Sequence, residues 1–376
     1  MDKNAMNGQW AKERVWEWYE ARPWIRGCNF MGSDVVNWLD MWQEQGFEEK
    51  LKTAEEEIAL AAKTDFNAFR KHSRPPTPPQ VVWREQHDGF LERLDRFLDV
   101  IYKYGIRAVL TLGNDCCVPK ENPYSQLRPG EQKFDWGYHG GRKNSQHSTL
   151  NKKPGYWLID DEPEHVYAWV REIITRYKDD DRVLIWDLYN EPGNAMRDEI
   201  TKPHIQRFFE IAREVNPMQP VTSGVWRIRE VDEPLSWVEQ YALDHSDIVS
   251  YHSYGSYCSN VQIVRKLKKY GRPVLCTEWL GRTVHNTVQE MFPLFYVEKI
   301  GCFNWGLVAG KYQTYEPWNS IWEQYDRGQC SNVDFTKWFH DLYRPNHRPY
   351  DPKEIELIHT LAEAADNEFQ HRQIKG

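Results

Sequence analysis

Apolar positions along the chain alternate between two periods. Helical spacing is clearest over 86–104, where Phe90, Leu94, Phe97, Leu98 and Ile101 share one face. The clearest strand lies in the stretch Val183–Asn194, VLIWDLYNEPGN, and runs into Asn190-Glu191-Pro192. Its near-continuous apolar run is what a parallel strand buried on both faces looks like. Pro192 cannot continue the ladder and ends it. Further strands are predicted at 24–30, 66–70, 106–112, 220–224, 247–254, 272–279 and 301–306. Helices are predicted over 9–20, 54–63, 86–104, 164–177, 204–215, 234–243, 258–270, 284–299 and 352–365. Eight strand signals with helical patterns between most of them predict an α/β fold, a closed (β/α)8 TIM barrel that takes up residues 1–376 as one domain. The helix at 9–20 is placed to close the N-terminal end of the barrel. The beat is broken after strand three, at about 113–160, and after strand eight, at 307–350. Loops of this length are usually functional, and these two are predicted to wall the barrel mouth. Pro75 to Pro79 reads as a stiff crossing of that mouth.

Composition narrows the class. With 40% hydrophobic and 28% charged residues the chain has a sizeable core and is not disordered. A net charge of −8 argues against nucleic acid or an anionic membrane as partner. No apolar run is long enough to span a bilayer. The first twenty residues lack the apolar core of a signal peptide, which predicts a cytoplasmic chain, or a periplasmic or secreted one if a leader has been removed. Seven cysteines, at 28, 116, 117, 258, 276, 302 and 330, are odd in number and show no CxxC spacing, so neither a disulfide framework nor a zinc site is expected. There is no HExxH or HxH pairing among the 13 histidines, so no metal or other cofactor is implied. Nothing in the sequence fixes an oligomeric state. The outlier is aromatic content: 18 Trp, 20 Tyr and 15 Phe. Most belong in the core, but flat faces in polar loops suit stacking on sugar rings.

The chemistry is expected at two carboxylates. Glu191 follows the fourth strand and Glu278 ends the seventh. In an eight-stranded barrel both lie on the C-terminal rim, facing each other across the mouth. Such a pair suits glycoside hydrolysis: one acid protonates the leaving oxygen, and the other attacks the anomeric carbon or activates water. Glu199, Glu230, Glu290 and Glu316 read as solvated charges.

Four motifs in order carry a resemblance: Asn190-Glu191-Pro192 after the fourth strand, His252-x-Tyr254 on the sixth, Glu278 on the seventh and Trp305 on the eighth. Over roughly residues 24–365 the chain resembles the clan A glycoside hydrolases, and most closely family 5, with its cellulases and mannanases. The resemblance implies a carbohydrate substrate and a retaining double displacement, with Glu191 as acid/base and Glu278 as nucleophile. It implies that Asn190 bonds the sugar 2-hydroxyl, that Tyr254 hydrogen-bonds Glu278, and that Arg70 favours the ionised form of Glu278 by opposite charge. His252 would contact sugar or the acid/base, and Trp305 would lie under the reacting sugar. One departure concerns strand three. Family members commonly carry a histidine near its end, where this chain has Leu112-Gly113-Asn114-Asp115, so Asn114 or Asp115 is expected to contact a sugar hydroxyl instead. Lys311, Gln313, Tyr315 and Trp318 are expected to line a pocket-like site for chain ends or short oligosaccharides. A transglycosylase using the same intermediate, and a carbohydrate-binding barrel without catalysis, remain as alternatives.

Overall fold

Nine parallel strand segments form one sheet in the computed structural model, which describes residues 8–72, 78–116, 128–134, 139–141, 158–229 and 233–375. The segments are β1 (Arg26–Asn29), β2 (Ala68–His72), β3 (Arg107–Asn114), β4 (Val183–Asn190), β5 (Val221–Thr222), β6 (Gly224–Val225), β7 (Val249–His252), β8 (Val274–Trp279) and β9 (Gly301–Trp305). Their order is β5-β4-β3-β2-β1-β9-β8-β7-β6. β5 pairs with β4 and β6 pairs with β7, with only Ser223 between them. The two ends of the order are therefore halves of one barrel strand, and the sheet closes as the eight-stranded (β/α)8 barrel that the alternation predicts.

The helices are α1 (Lys12–Glu20), α2 (Phe47–Lys63), α3 (Pro78–Glu85), α4 (His87–Lys103), α5 (Leu158–Asp161), α6 (Pro163–Tyr177), α7 (Asp198–Val215), α8 (Trp237–His245), α9 (Tyr257–Lys268), α10 (Val288–Glu298), α11 (Asn319–Asp326) and α12 (Pro352–Lys375). Amphipathic spacing explains them. On α4, Phe90, Leu91, Leu94, Phe97, Leu98 and Ile101 are all buried. α8 and α9 begin at serine caps, Ser236 and Ser256, which accept from Glu239 N and Ser259 N.

Two stretches expected as loops carry helices. Residues 78–85 are helical, because Pro78 and Pro79 lie in the first turn, where a missing N–H costs nothing. Pro75, Pro76 and Thr77, the rest of the expected crossing, lie outside the described residues. The aromatic stretch after β9 contains the short helix α11. Within the expected 113–160 loop, residues 117–127, 135–138 and 142–157 also lie outside the described residues.

The core has two parts. Between strands and helices runs a continuous apolar shell that includes Phe69, Phe97, Trp169, Trp186, Phe208 and Phe295. Inside the barrel, Ile25, Ala68, Val109, Ile185, Ile248, Leu275 and Phe303 pack with Trp10, Val15 and Tyr19. Val15 and Tyr19 belong to α1, so that helix plugs the N-terminal end of the barrel, as its apolar side predicts. The opposite end is polar, and the strand ends there hold the candidate site.

Candidate active site

Arg70 lies at the centre of the rim with its side chain fully buried. Its Nη1 donates to Asn29 Oδ1 on β1 at 3.0 Å and to Glu278 Oε1 on β8 at 3.0 Å. Its Nε and Nη2 donate to Asp187 Oδ2 on β4 at 2.8 and 2.6 Å, and Nη2 also reaches Asn190 Oδ1 at 2.6 Å. The planar guanidinium thus joins three strands across the mouth, which a lysine ammonium could not do with the same geometry.

Glu278 is 2% exposed. Besides Arg70, it accepts from Tyr254 Oη at 3.1 Å through Oε2. His252 Nδ1 lies 2.8 Å from Glu191 Oε1 and 3.6 Å from Glu278 Oε2, between the two acids. One ligand atom from each of Glu191, His252 and Glu278 lies within 4.8 Å of the others. His252 fits because Gly224 stands opposite: a Cβ there would meet His252 Nε2 at 2.8 Å.

The backbone aims Glu191. Its N–H donates to Gly224 O at 2.9 Å, which extends the β4 pairing by one residue. Glu191 then adopts a φ of 50° and Gly193 one of 79°, so the chain turns sharply off the strand. Asn194 N closes the turn on Glu191 O at 3.0 Å. The Asn194 amide also donates to Glu191 Oε2 at 2.6 Å.

Asn114 and Asp115 do not offer free groups to a sugar. Asn114 is 1% exposed, accepts from Cys116 N and Asn190 Nδ2, and donates to Cys116 O. Asp115, fully buried, accepts from Tyr189 Oη at 2.9 Å, Gly193 N at 2.7 Å and Arg197 Nε at 2.8 Å, and from Thr201 Oγ1. Burial raises the pKa of Asp115, while Arg197 and the Thr201 and Gly193 donors act in the opposite sense. Asp115 therefore braces the turn that carries Glu191. Trp305 also differs from the open platform expected of it. It is 0% exposed, with its ring 4.9 Å from His139, 6.1 Å from Trp38 and 6.3 Å from Tyr312.

The loop after β9 contributes unevenly. Trp318 packs edge-on against Tyr254 at 4.8 Å and donates to His139 Nε2 at 3.3 Å. Gly141 N donates to Pro317 O, and a Cβ at Gly140 would stand 2.1 Å from Glu316 O, so the 139–141 segment lies directly on this loop. Gln313 is buried, Tyr315 half-buried and Lys311 exposed.

Sequence reasoning missed Asn29, Asp187, Asn194 and His139. Asp187 had a signal: a charge inside an apolar strand requires a buried partner, and Arg70 supplies it. Asn29 ends a strand, as Asn190 does. Asn194 and His139 lie in aperiodic stretches and carry no such signal.

The family model for cellulase (glycosyl hydrolase family 5) matches residues 27–310. Among solved structures the chain is similar to the exo-β-1,4-mannosidase of Opitutaceae bacterium strain TAV5, with a TM-score of 0.57 and 16% identity. That match covers 97% of this chain but only 63% of the other. The family 5 mannosidase from Rhizomucor miehei gives a TM-score of 0.51 at 15% identity, covering 93% of this chain and 94% of that one. The endo-β-1,4-mannanase from Thermotoga petrophila gives 0.52 at 14% identity, covering 91% and 77%. No curated protein matches the chain by sequence.

Proposed function

This chain belongs to glycosyl hydrolase family 5 and is a glycosidase, and we propose that it cleaves β-linked oligo- or polysaccharides with retention, through Glu191 as acid/base and Glu278 as nucleophile. The observation that carries this reading is the asymmetry of the two acids. Glu278 accepts a charge-assisted bond from buried Arg70 and a second bond from Tyr254, which favours the anion a nucleophile must be. Among the described residues Glu191 has no arginine or lysine hydrogen-bond partner and faces a histidine and an amide instead. One oxygen of each acid lies within 4.8 Å of the other, which supports the close pairing of retaining enzymes, where the carboxyls are roughly 5–5.5 Å apart.

In the first step Glu191 gives its proton to the glycosidic oxygen as the bond from that oxygen to the anomeric carbon breaks. Glu278 forms a bond to the same carbon from the opposite face. In the second step Glu191 takes a proton from water, the water oxygen attacks the anomeric carbon, and Glu278 leaves as a carboxylate. Two inversions give net retention. Asn190 is held between Arg70 and Asn114 beside the acids, and its bond to the sugar 2-hydroxyl is part of this proposal. A metal ion among Glu191, His252 and Glu278 would face the buried guanidinium 3.0 Å from Glu278, a repulsion that speaks for the two-acid chemistry. The linkage to try first is β-mannosidic, the one named for the mannosidase and mannanase to which the fold is similar.

The test is a panel of aryl β-glycosides whose leaving groups span a range of acidity. Glu278→Ala loses turnover on every member. Glu191→Ala loses several orders of magnitude on poor leaving groups and much less on good ones, since these need little protonation. Near-normal turnover by Glu278→Ala, or an equal loss by Glu191→Ala across the panel, overturns the assignment. Wild-type binding to oligosaccharides without any turnover would favour the non-catalytic reading. Dominance of longer products at high acceptor concentration would favour the transglycosylase.

A further inference from the structure

Both oxygens of Glu191 are engaged, by different kinds of partner. Oε1 faces His252 Nδ1 at 2.8 Å, a ring nitrogen that donates or accepts according to its tautomer. Oε2 faces the Asn194 side chain at 2.6 Å. The orientation of that amide is settled by its other end: Ala195 N donates to Asn194 Oδ1 at 2.6 Å, so the group turned to Glu191 is the NH2. An NH2 donates only. Oε2 is therefore the oxygen that accepts from Asn194, and a proton placed on it would weaken that bond by removing the charge it accepts with.

The turn is built to keep Asn194 there. Glu191, Gly193, Ala195 and Met196 all have positive φ, at 50°, 79°, 54° and 62°. Such a run persists only where the surroundings hold it. Asp115 does so from below, accepting from Gly193 N and Arg197 Nε on either side of Asn194, and Asp160 grips the far end of Arg197 at 2.7 and 2.6 Å. Arg197 is 1% exposed, so this anchor is buried.

We propose that Asn194 is a positioning residue for the general acid: it reserves Oε2 as an acceptor and so assigns the catalytic proton to Oε1. Oε1 is the oxygen on the His252 side, and His252 in turn lies 3.6 Å from Glu278 Oε2, so the proton sits on the edge of Glu191 turned towards the nucleophile. The glycosidic oxygen must approach on that edge. This rests on the reading of Glu191 as the acid/base.

The experiment compares Asn194→Ala, Asn194→Asp and Glu191→Ala on the same leaving-group panel, with full pH profiles of kcat/KM. The alkaline limb reports the protonated acid. Loss of an N–H donor to the carboxylate makes the anion less favourable, so in Asn194→Ala the alkaline limb moves up. Asn194→Asp keeps an acceptor for Ala195 N, which supports the turn if the alanine variant folds poorly, and it puts a like charge against Oε2. Its limb moves further up. Both variants lose more on poor leaving groups than on good ones, with Asn194→Ala down about tenfold on the poorest. A uniform drop in kcat/KM with unmoved limbs in the folded variants means that Asn194 only shapes the turn, and overturns the proposal. If Glu191→Ala itself loses equally across the panel, the acid/base assignment fails first and takes the proposal with it.

Discussion

At the barrel mouth the guanidinium of Arg70 meets Asn29, Asp187, Asn190 and Glu278 at 2.6–3.0 Å with no solvent exposure. Removing one partner of a buried ion pair leaves the other charge uncompensated, which costs roughly 3–5 kcal/mol. Arg70→Met keeps much of the volume and loses the charge. We predict that it lowers unfolding stability by about that amount in urea and abolishes turnover. Arg70→Lys keeps the charge but loses the fork, so it retains more stability while kcat still falls by roughly a hundredfold. Wild-type stability in Arg70→Met would show that the network contributes nothing net. At this scale the sequence was partly legible. Glu191, Glu278, His252 and Tyr254 stand in recognisable places, and the structure brings their side chains into one cluster, His252 bonded to Glu191 at 2.8 Å, Tyr254 to Glu278 at 3.1 Å, and His252 3.6 Å from Glu278. Asp115 and Trp305 are buried among partners of their own, which the sequence did not show, because a strand-end acid and a strand-end indole look the same in a sequence whether they face a cleft or a brace. Asn194 was invisible: what matters about it is a left-handed turn, which no periodicity encodes.

Among the elements, the strands were legible because burial on both faces leaves an unbroken apolar run, and helices such as α4 because one face is apolar. The fifth strand was seen as one piece, but it pairs by two residues on each side of Ser223. α3 was hidden by its prolines, which start a helix as readily as they break one. α2 carries a buried acid on its inner face. Glu57 takes Ser33 N on both oxygens at 3.1 and 3.2 Å, and Asp34 and Asp341 raise its pKa further after burial, to about 8. Asp341, fully buried, is pushed up to about 7. An acid whose folded pKa is raised keeps its proton in the folded state while the unfolded chain has already lost it. Stability therefore falls as pH rises from near 4.5, the ordinary glutamate value, to about 8. Glu57→Gln should flatten that fall by a few kcal/mol, roughly 3–5, between pH 5 and 8, and the part due to Asp341 should remain. Urea titrations at pH 5, 6.5 and 8 check this. An unchanged slope in the variant would place the proton elsewhere.

For the molecule as a whole, the barrel separates two tasks. α1 and an apolar interior seal one end, and the polar strand ends at the other hold Arg70, Asp187, Glu191 and Glu278. Alternating periods made that architecture readable. What surrounds the acids was not readable, because the stretches after β3 and β9 have no period, and their meeting at Gly140 and Glu316 depends on a close backbone approach. Among the described residues no helix is long and apolar enough to cross a membrane. If Glu278 is the nucleophile, it becomes covalently bound to sugar during turnover. A 2-deoxy-2-fluoro glycosyl fluoride of the sugar preferred in the aryl-glycoside panel slows both steps but the second more, so the intermediate accumulates. Peptide mass spectrometry after digestion should then find one fluorosugar per chain, attached to Glu278 in the segment Val274–Trp279. Attachment to Glu191 or another residue, or turnover with an inverted product and no adduct, would rule out Glu278 as the nucleophile.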